Sequence, residues 1–490
     1  MRMTFYKMTR RVPGWLFLFC AGLLLTPVLA QAQARAPAAA PEKTQTSAAP
    51  EHKISDAEAK ELFRSVDEIL KFASKETALP QRQEVKRRLV NRDEVVAYIQ
   101  KHMEEDEDSQ RFQRNEIVLK KFGLIPRDFD LKKFLIGLLR EQIAGYYDPA
   151  TKTVNLLDWV DADQQKPVLA HELTHALQDQ SFDLEKWLKA GEGEDLLKVD
   201  NPTSVEFERD EAGEARQAVV EGQATVTLID YQLAPVGQSM ANSPQIVDAI
   251  REGMLVGSAD SIQFHNAPSF LKEALTFPYR YGLGFVGQVV AKRGKEGANA
   301  LFSNPPTTTR QIMEPDTYLS GEKLPPMPVP DFKSLFKDYE EVDAGGFGEF
   351  DTAMLVGEYA GGVAAVKVSP NWRGGYYFAV RPKDKPTAPL GLLYVSRWSS
   401  AEKAAEFAAI YAKSLAKRYR KSDPVERDST KALGPLASLE TLTGNHSWTT
   451  EEGPVLIETH GDLLLIAEGL DHEERLGEAV FGTDLATPSK

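Results

Sequence analysis

The chain has 490 residues, 42% hydrophobic and 27% charged, enough for two or three domains and too mixed for a disordered or fibrous protein. Its 58 Lys and Arg stand against 72 Asp and Glu, for a formal net charge of −14. No basic block of the kind that tracks a phosphate backbone interrupts that excess, so nucleic acid is not an expected partner.

In chain order, Arg2, Lys7, Arg10 and Arg11 precede an apolar run from Trp15 to Leu29, and Ala30 and Ala32 flank Gln31. Charged, apolar and A-x-A segments in that order predict a secretory signal over 1–32. The alternative is a retained signal anchor, for which the run is short. Cleavage after Ala32 removes Cys20, the one cysteine, so no disulfide and no thiol ligand or nucleophile remains. The expected destination is the bacterial periplasm or beyond, with the membrane met only during export.

Positions 33–53 are rich in Ala, Pro, Gln, Ser and Thr and predict a flexible linker. From 54 to 330 a mainly helical domain is expected. Its helical stretches are 55–75, 83–102, 116–122, 131–142, 165–180, 206–232, 243–255 and 278–292. Between them, 143–147 and 153–157 around the turn Asp148-Pro149-Ala150-Thr151 predict a hairpin. A Pro-rich joint at 324–332 leads to a second domain, 331–490. There short strands at 376–380, 391–398, 446–451, 455–460 and 463–467 surround an Ala-rich helix capped by Ser399 or Ser400, with Glu402 placed for a capping box. The fold class is therefore α+β, a helical domain followed by a small α+β domain. Oligomeric state leaves no signal.

The chemistry is carried by His171-Glu172-Leu173-Thr174-His175, an HExxH motif on an apolar helix. Spacing of i and i+4 places both imidazoles on one face to bind one Zn²⁺, with Glu172 beside them to take a proton from water. A catalytic zinc needs a third protein ligand. It cannot be the histidine of the longer HExxHxxGxxH pattern, because Gln178 and Ser181 hold those Gly and His positions. Glu221 offers a carboxylate among Ala218, Val219, Val220 and Ala224, where it is costly without a positive partner. Glu194, in the acidic stretch 191–195, is the rival. Glu214 and Asp179 could orient a zinc-bound histidine from behind, and Tyr279, Tyr281 and His265 are candidate oxyanion donors.

The segment HELTHALQDQ, the preceding Glu141-Gln142-Ile143-Ala144-Gly145-Tyr146-Tyr147-Asp148-Pro149 and the later Glu221-Gly222-Gln223-Ala224 resemble a group of largely uncharacterised, secreted bacterial gluzincin-like metallopeptidases. The resemblance runs from about Leu62 to Tyr318 and implies a zincin-like domain. It further implies zinc on His171, His175 and Glu221, with Glu172 as general base. Where the group has a His-Pro pair after a Pro-Pro-Thr/Ser turn, this chain has Glu314-Pro315 after Pro305-Pro306-Thr307, so no catalytic histidine transfers there.

Two functions follow as expectations. One is a secreted zinc peptidase acting on peptide or protein substrates, with the hairpin ending at Leu157 offering an edge to an extended peptide. The other is a non-catalytic envelope binding or scaffold protein with a structural or vestigial zinc site.

Overall fold

The computed structural model describes residues 53–485 apart from 105, 143–144, 192–195, 200, 243–244, 258–260, 426–437 and 471–472. The expected export signal, nearly all of the linker, Glu194 and the Ser243-Pro244 helix start lie outside the described residues.

Helix α1 (Asp56–Thr77) begins with a reciprocal cap: Ser55 N donates to Glu58 Oε2 at 2.6 Å, and Glu58 N donates to Ser55 Oγ at 3.3 Å. Its stripe of Leu62, Val66, Ile69, Leu70 and Ala73 is buried against helix α2 (Ala162–Phe182). Between them in the chain comes a three-stranded sheet of β1 (Lys86–Val90), β2 (Tyr146–Asp148) and β3 (Thr153–Leu157), in the order β1-β3-β2.

The hairpin forms as its turn chemistry requires, since Asp148 accepts from Ala150 N at 2.9 Å and from Thr151 Oγ1 at 2.8 Å. Strand β1 corrects the helical expectation for 83–102. Its five residues pair in parallel with β3, and the helix starts afterwards at Arg92, where Asn91 and Glu94 exchange capping bonds of 3.0 and 2.9 Å. Pairing with a strand more than sixty positions away overrides the local spacing. It also makes β3 the central strand, so the hairpin's free edge is β2 and not the Leu157 side.

Helix α3 (Ser204–Leu233) starts at a Thr203–Glu206 capping box, and helix α4 (Ser269–Ala300), broken at Gly294, packs along it. The two backbones touch at glycines. A Cβ on Gly222 would lie 2.3 Å from Gly282 O, and one on Gly282 would lie 2.3 Å from Ala218 O. The glycine following Glu221 is thus required by the approach of α4.

Beyond the Pro-rich joint comes an antiparallel sheet of β4 (Tyr339–Gly346), β5 (Trp372–Pro382), β6 (Gly391–Trp398), β7 (Ser422–Val425), β8 (Asn445–Thr450), β9 (Gly453–His460) and β10 (Leu463–Glu468). Their order is β4-β5-β6-β10-β9-β8-β7. Strands β6 and β10 are buried along their whole length and largely apolar because both faces are covered. Tyr394, Leu464 and Ile466 pack with helix α6 (Ala401–Arg418), while Leu393, Leu463 and Leu465 pack with helix α7 (Glu473–Leu485) and Phe332. Helix α5 (Glu349–Ala360) precedes β5. Ser400 caps α6 by accepting from Lys403 N, so Glu402 falls one position short of a capping box. Strands β4 and β7 and helix α5 have no counterpart in the sequence reading.

Buried packing is continuous across position 330, with the Phe122 ring 4.8 Å from that of Phe347. Glu468 is fully buried there, bonded to Arg418 Nη2 at 2.6 Å, Tyr411 Oη at 2.7 Å and Tyr419 Oη, with Lys121 Nζ at 3.6 Å. Burial opposes its ionisation, but the Arg418 and Lys121 charges and the hydrogen bonds outweigh it and hold the carboxyl at about 2.

Gly222→Ala forces α3 and α4 apart and is expected to lower unfolding stability by about 1–3 kcal/mol. Gly482→Ala, with nothing among the described residues within 4 Å of the added methyl, should be neutral or slightly stabilising in the same thermal melt. Because the folded pKa of Glu468 lies below its ordinary value, its contribution is complete above the ordinary carboxylate range and is lost as pH falls through that range toward 2. Glu468→Gln should therefore cost about 3 kcal/mol at neutral pH and flatten the acid limb of a denaturant-measured stability profile.

Candidate metal centre

Helix α2 puts His171 and His175 one turn apart, and α3 packs against it so that Glu221 meets both. His171 Nε2 lies 3.0 Å from Glu221 Oε2 and 3.0 Å from His175 Nε2, and His175 Nε2 lies 3.4 Å from Glu221 Oε2. All three residues are fully buried, and their donor atoms lie within 4.8 Å of one another. Zinc bonds of roughly 2.0–2.1 Å in a tetrahedron imply donor separations of about 3.3 Å. The cluster has the size and donor chemistry to hold a metal ion.

Its electrostatics ask for positive charge. Burial pushes His171 down, with only partial relief from Glu221. At His175 burial acts the same way, but the Glu221 and Glu172 charges outweigh it and push that imidazole up to about 9. Burial likewise opposes ionisation of Glu221, and the two histidines overcome it and hold its carboxyl below the usual range. Without a metal, a proton on an imidazole must supply the charge that two facing nitrogens and a carboxylate require.

Glu172 is also fully buried and belongs to a different arrangement. Its Oε2 accepts from Tyr147 N on strand β2 at 2.7 Å, while Oε1 has no hydrogen-bond partner among the described residues. Burial pushes this carboxyl up to about 8, against the pull of His175 and the Tyr147 N–H.

Amides hold the ligands from behind. Gln178 Nε2 donates to Val220 O at 3.1 Å and to Gln223 Oε1 at 2.9 Å, which fixes the orientation of its amide. Its Oε1 then faces His175 Nδ1 at 2.9 Å, so Nδ1 is the donor and Nε2 keeps a lone pair for the cluster. Gln217 Nε2 donates to Glu221 Oε1 at 3.0 Å.

Of the expected supporting residues, Asp179 serves another purpose. It accepts from Tyr147 Oη and Lys152 Nζ, each at 2.7 Å, and from Leu184 N at 3.2 Å, pinning the hairpin to α2. Glu214 is half-buried, and the group that faces the outer nitrogen of His175 is Gln178. Tyr279 is fully buried with its ring stacked 6.1 Å from that of His171. Tyr281 lies under the Arg251 and Arg280 guanidiniums, and His265 is exposed at the end of the short helix Ile262–His265. Gln178, Gln217 and the Tyr147 N–H were missed. The glutamines stand at i+3 from His175 and i−4 from Glu221, a helical spacing open to inspection, whereas Tyr147 reaches Glu172 only through the fold.

No protein-family model matches the chain, and no curated protein matches it. A solved structure described as "a putative hydrolase with a novel fold" from Chloroflexus aurantiacus is similar at 13% identity, over 54% of this chain and 90% of that chain, with a TM-score of 0.30. So low a score carries no argument about the site.

In a competitive chelator titration, Gln178→Leu should weaken divalent-metal binding by roughly 10–100-fold through the freed His175 ring. Glu194→Gln should leave that affinity unchanged.

Proposed function

We propose that the chain is an exported zinc-dependent peptidase of zincin-like design, with His171, His175 and Glu221 as metal ligands and Glu172 as general base. The observation that carries this reading is the convergence of three buried donors beside a glutamate with one oxygen that has no partner among the described residues. Three protein ligands leave a position open, as a catalytic zinc requires, where a structural site closes with four.

His171, His175 and Glu221 would hold the zinc, which would supply a Lewis acid that eases deprotonation of a water near neutral pH. Glu172 takes the proton of the attacking water at Oε1 and returns it to the leaving amine, while the Tyr147 N–H holds Oε2 and fixes the direction of Oε1. Gln178 keeps the proton of His175 on Nδ1, and Gln217 holds the outer oxygen of Glu221. Tyr279 is the one expected oxyanion donor in ring contact with the cluster. Substrate is a peptide or protein met after export.

One observation favours the second reading, a structural or vestigial site in a binding protein: all four residues are 0% exposed, so turnover requires an opening that admits substrate. The two readings separate on the paired glutamates. Glu172→Gln should keep about one zinc per chain yet abolish casein or peptide-library cleavage at any zinc concentration. Glu221→Gln should lose zinc and activity together, with partial recovery in excess zinc. Full zinc occupancy with no cleavage by the unaltered chain would favour the binding protein.

A further inference from the structure

Behind the metal cluster, α3, α4 and the helix Gln245–Gly257 line a partly open cavity of about 510 Å³, within the range that takes a small organic ligand. Val226, Met240, Val247, Val286 and Val290 make its walls apolar. Asp230 breaks that surface. It is 8% exposed, its Oδ1 accepts from Met240 N at 2.6 Å, and its other oxygen has no hydrogen-bond partner among the described residues.

The neighbouring charges do not satisfy it. Lys295 is bonded to Glu76 Oε2 at 3.0 Å and to Lys75 O at 3.1 Å, and the Arg251 guanidinium lies over the Tyr281 ring at 5.3 Å. That oxygen is open to the cavity, and a ligand that donates to it from a positive group makes a charge-assisted hydrogen bond there. At Asp230 itself an anion would meet like charge from that carboxylate and from Glu76. The cavity also reaches the cluster by a short path, because Gln223 lines it and accepts from Gln178, which holds His175 Nδ1.

We propose that this cavity binds a small molecule with an ammonium group and an apolar body, the ammonium on the free oxygen of Asp230, and that its occupancy is felt at His175 through Gln223 and Gln178. The ammonium belongs either to a free alkyl amine or to the amino terminus of a short peptide. The binding half stands on the cavity alone; the coupling half rests on the metal reading above. By linkage, any factor by which the ligand changes metal affinity is the factor by which metal changes ligand affinity.

The test is calorimetry on the full chain, zinc-loaded and metal-stripped, with four probes: 3-phenylpropylamine, 3-phenylpropanol, a hydrophobic dipeptide amide with a free amino terminus, and its N-acetyl form. The charged probes should bind once per chain, roughly tenfold or more tighter than their uncharged counterparts. The tighter of the two charged probes identifies the source. Asp230→Asn should weaken charged-probe binding roughly tenfold or more, and Val226→Phe, at a half-buried wall position, should block it while circular dichroism reports an intact fold. Equal binding of alcohol and amine, no binding of either, or binding untouched by both substitutions overturns the cavity proposal. A zinc-dependent change in amine affinity that Gln223→Leu abolishes supports the coupling, and identical affinities with zinc bound and removed overturn it. A chain that binds the amine but no zinc defeats the metal reading and leaves the cavity standing.

Discussion

A carboxylate with no exposure to water must be met by positive charge, and the arrangement of α2, α3 and α4 follows from meeting that need at Glu221. The two imidazoles within 3.4 Å of it are themselves buried and face each other, so they cannot both donate and leave room for nothing else. Desolvation of this kind costs several kcal/mol per group unless it is compensated. A cation shared by all three donors removes the conflict in one step. The rest of the site keeps that solution available: Gln178 holds one imidazole in the ligating tautomer, and Gln217 holds the carboxylate's other oxygen.

Backbone contact makes the geometry possible. At Gly222 and Gly282 two long helices come so close that neither position tolerates a Cβ, and Glu221 is adjacent to that contact. On the other side, the hairpin is fastened to α2 by Asp179 and presents Tyr147 N to Glu172. The distal sheet joins through an ionic group of its own, in which Glu468 gathers Lys121 from the helical part and Arg418 from α6. Buried carboxylates are thus met in two ways, by protein cations at Glu468 and by a set of donors open to a metal at Glu221.

The His171, Glu172 and His175 constellation was legible because its spacing is local, three residues of one helix turn. Glu221 was legible for a different reason: a carboxylate among Val220, Ala218 and Ala224 is anomalous unless something compensates it. The hairpin was announced by Asp148 and its turn. Strand β1 was not, because Lys86-Arg87-Arg88-Leu89-Val90 gains its extended form only by pairing with β3, and nothing nearby in sequence encodes that partner. Strands β4 and β7 were missed on similar grounds, the first ending in Gly345 and Gly346, the second holding Pro424 at the sheet's edge. Asp179 was placed on the correct helix and given the wrong partner. Its face is legible from spacing, but its acceptance of Tyr147 Oη depends on where the hairpin docks.

The most direct measurement is anomalous diffraction at the zinc edge from crystals of the full chain grown with the metal. The account requires one strong peak within bonding distance of His171 Nε2, His175 Nε2 and a Glu221 oxygen, with Glu172 outside that distance. A peak held by the 192–195 segment in place of Glu221, or no peak between the two histidines, would contradict it.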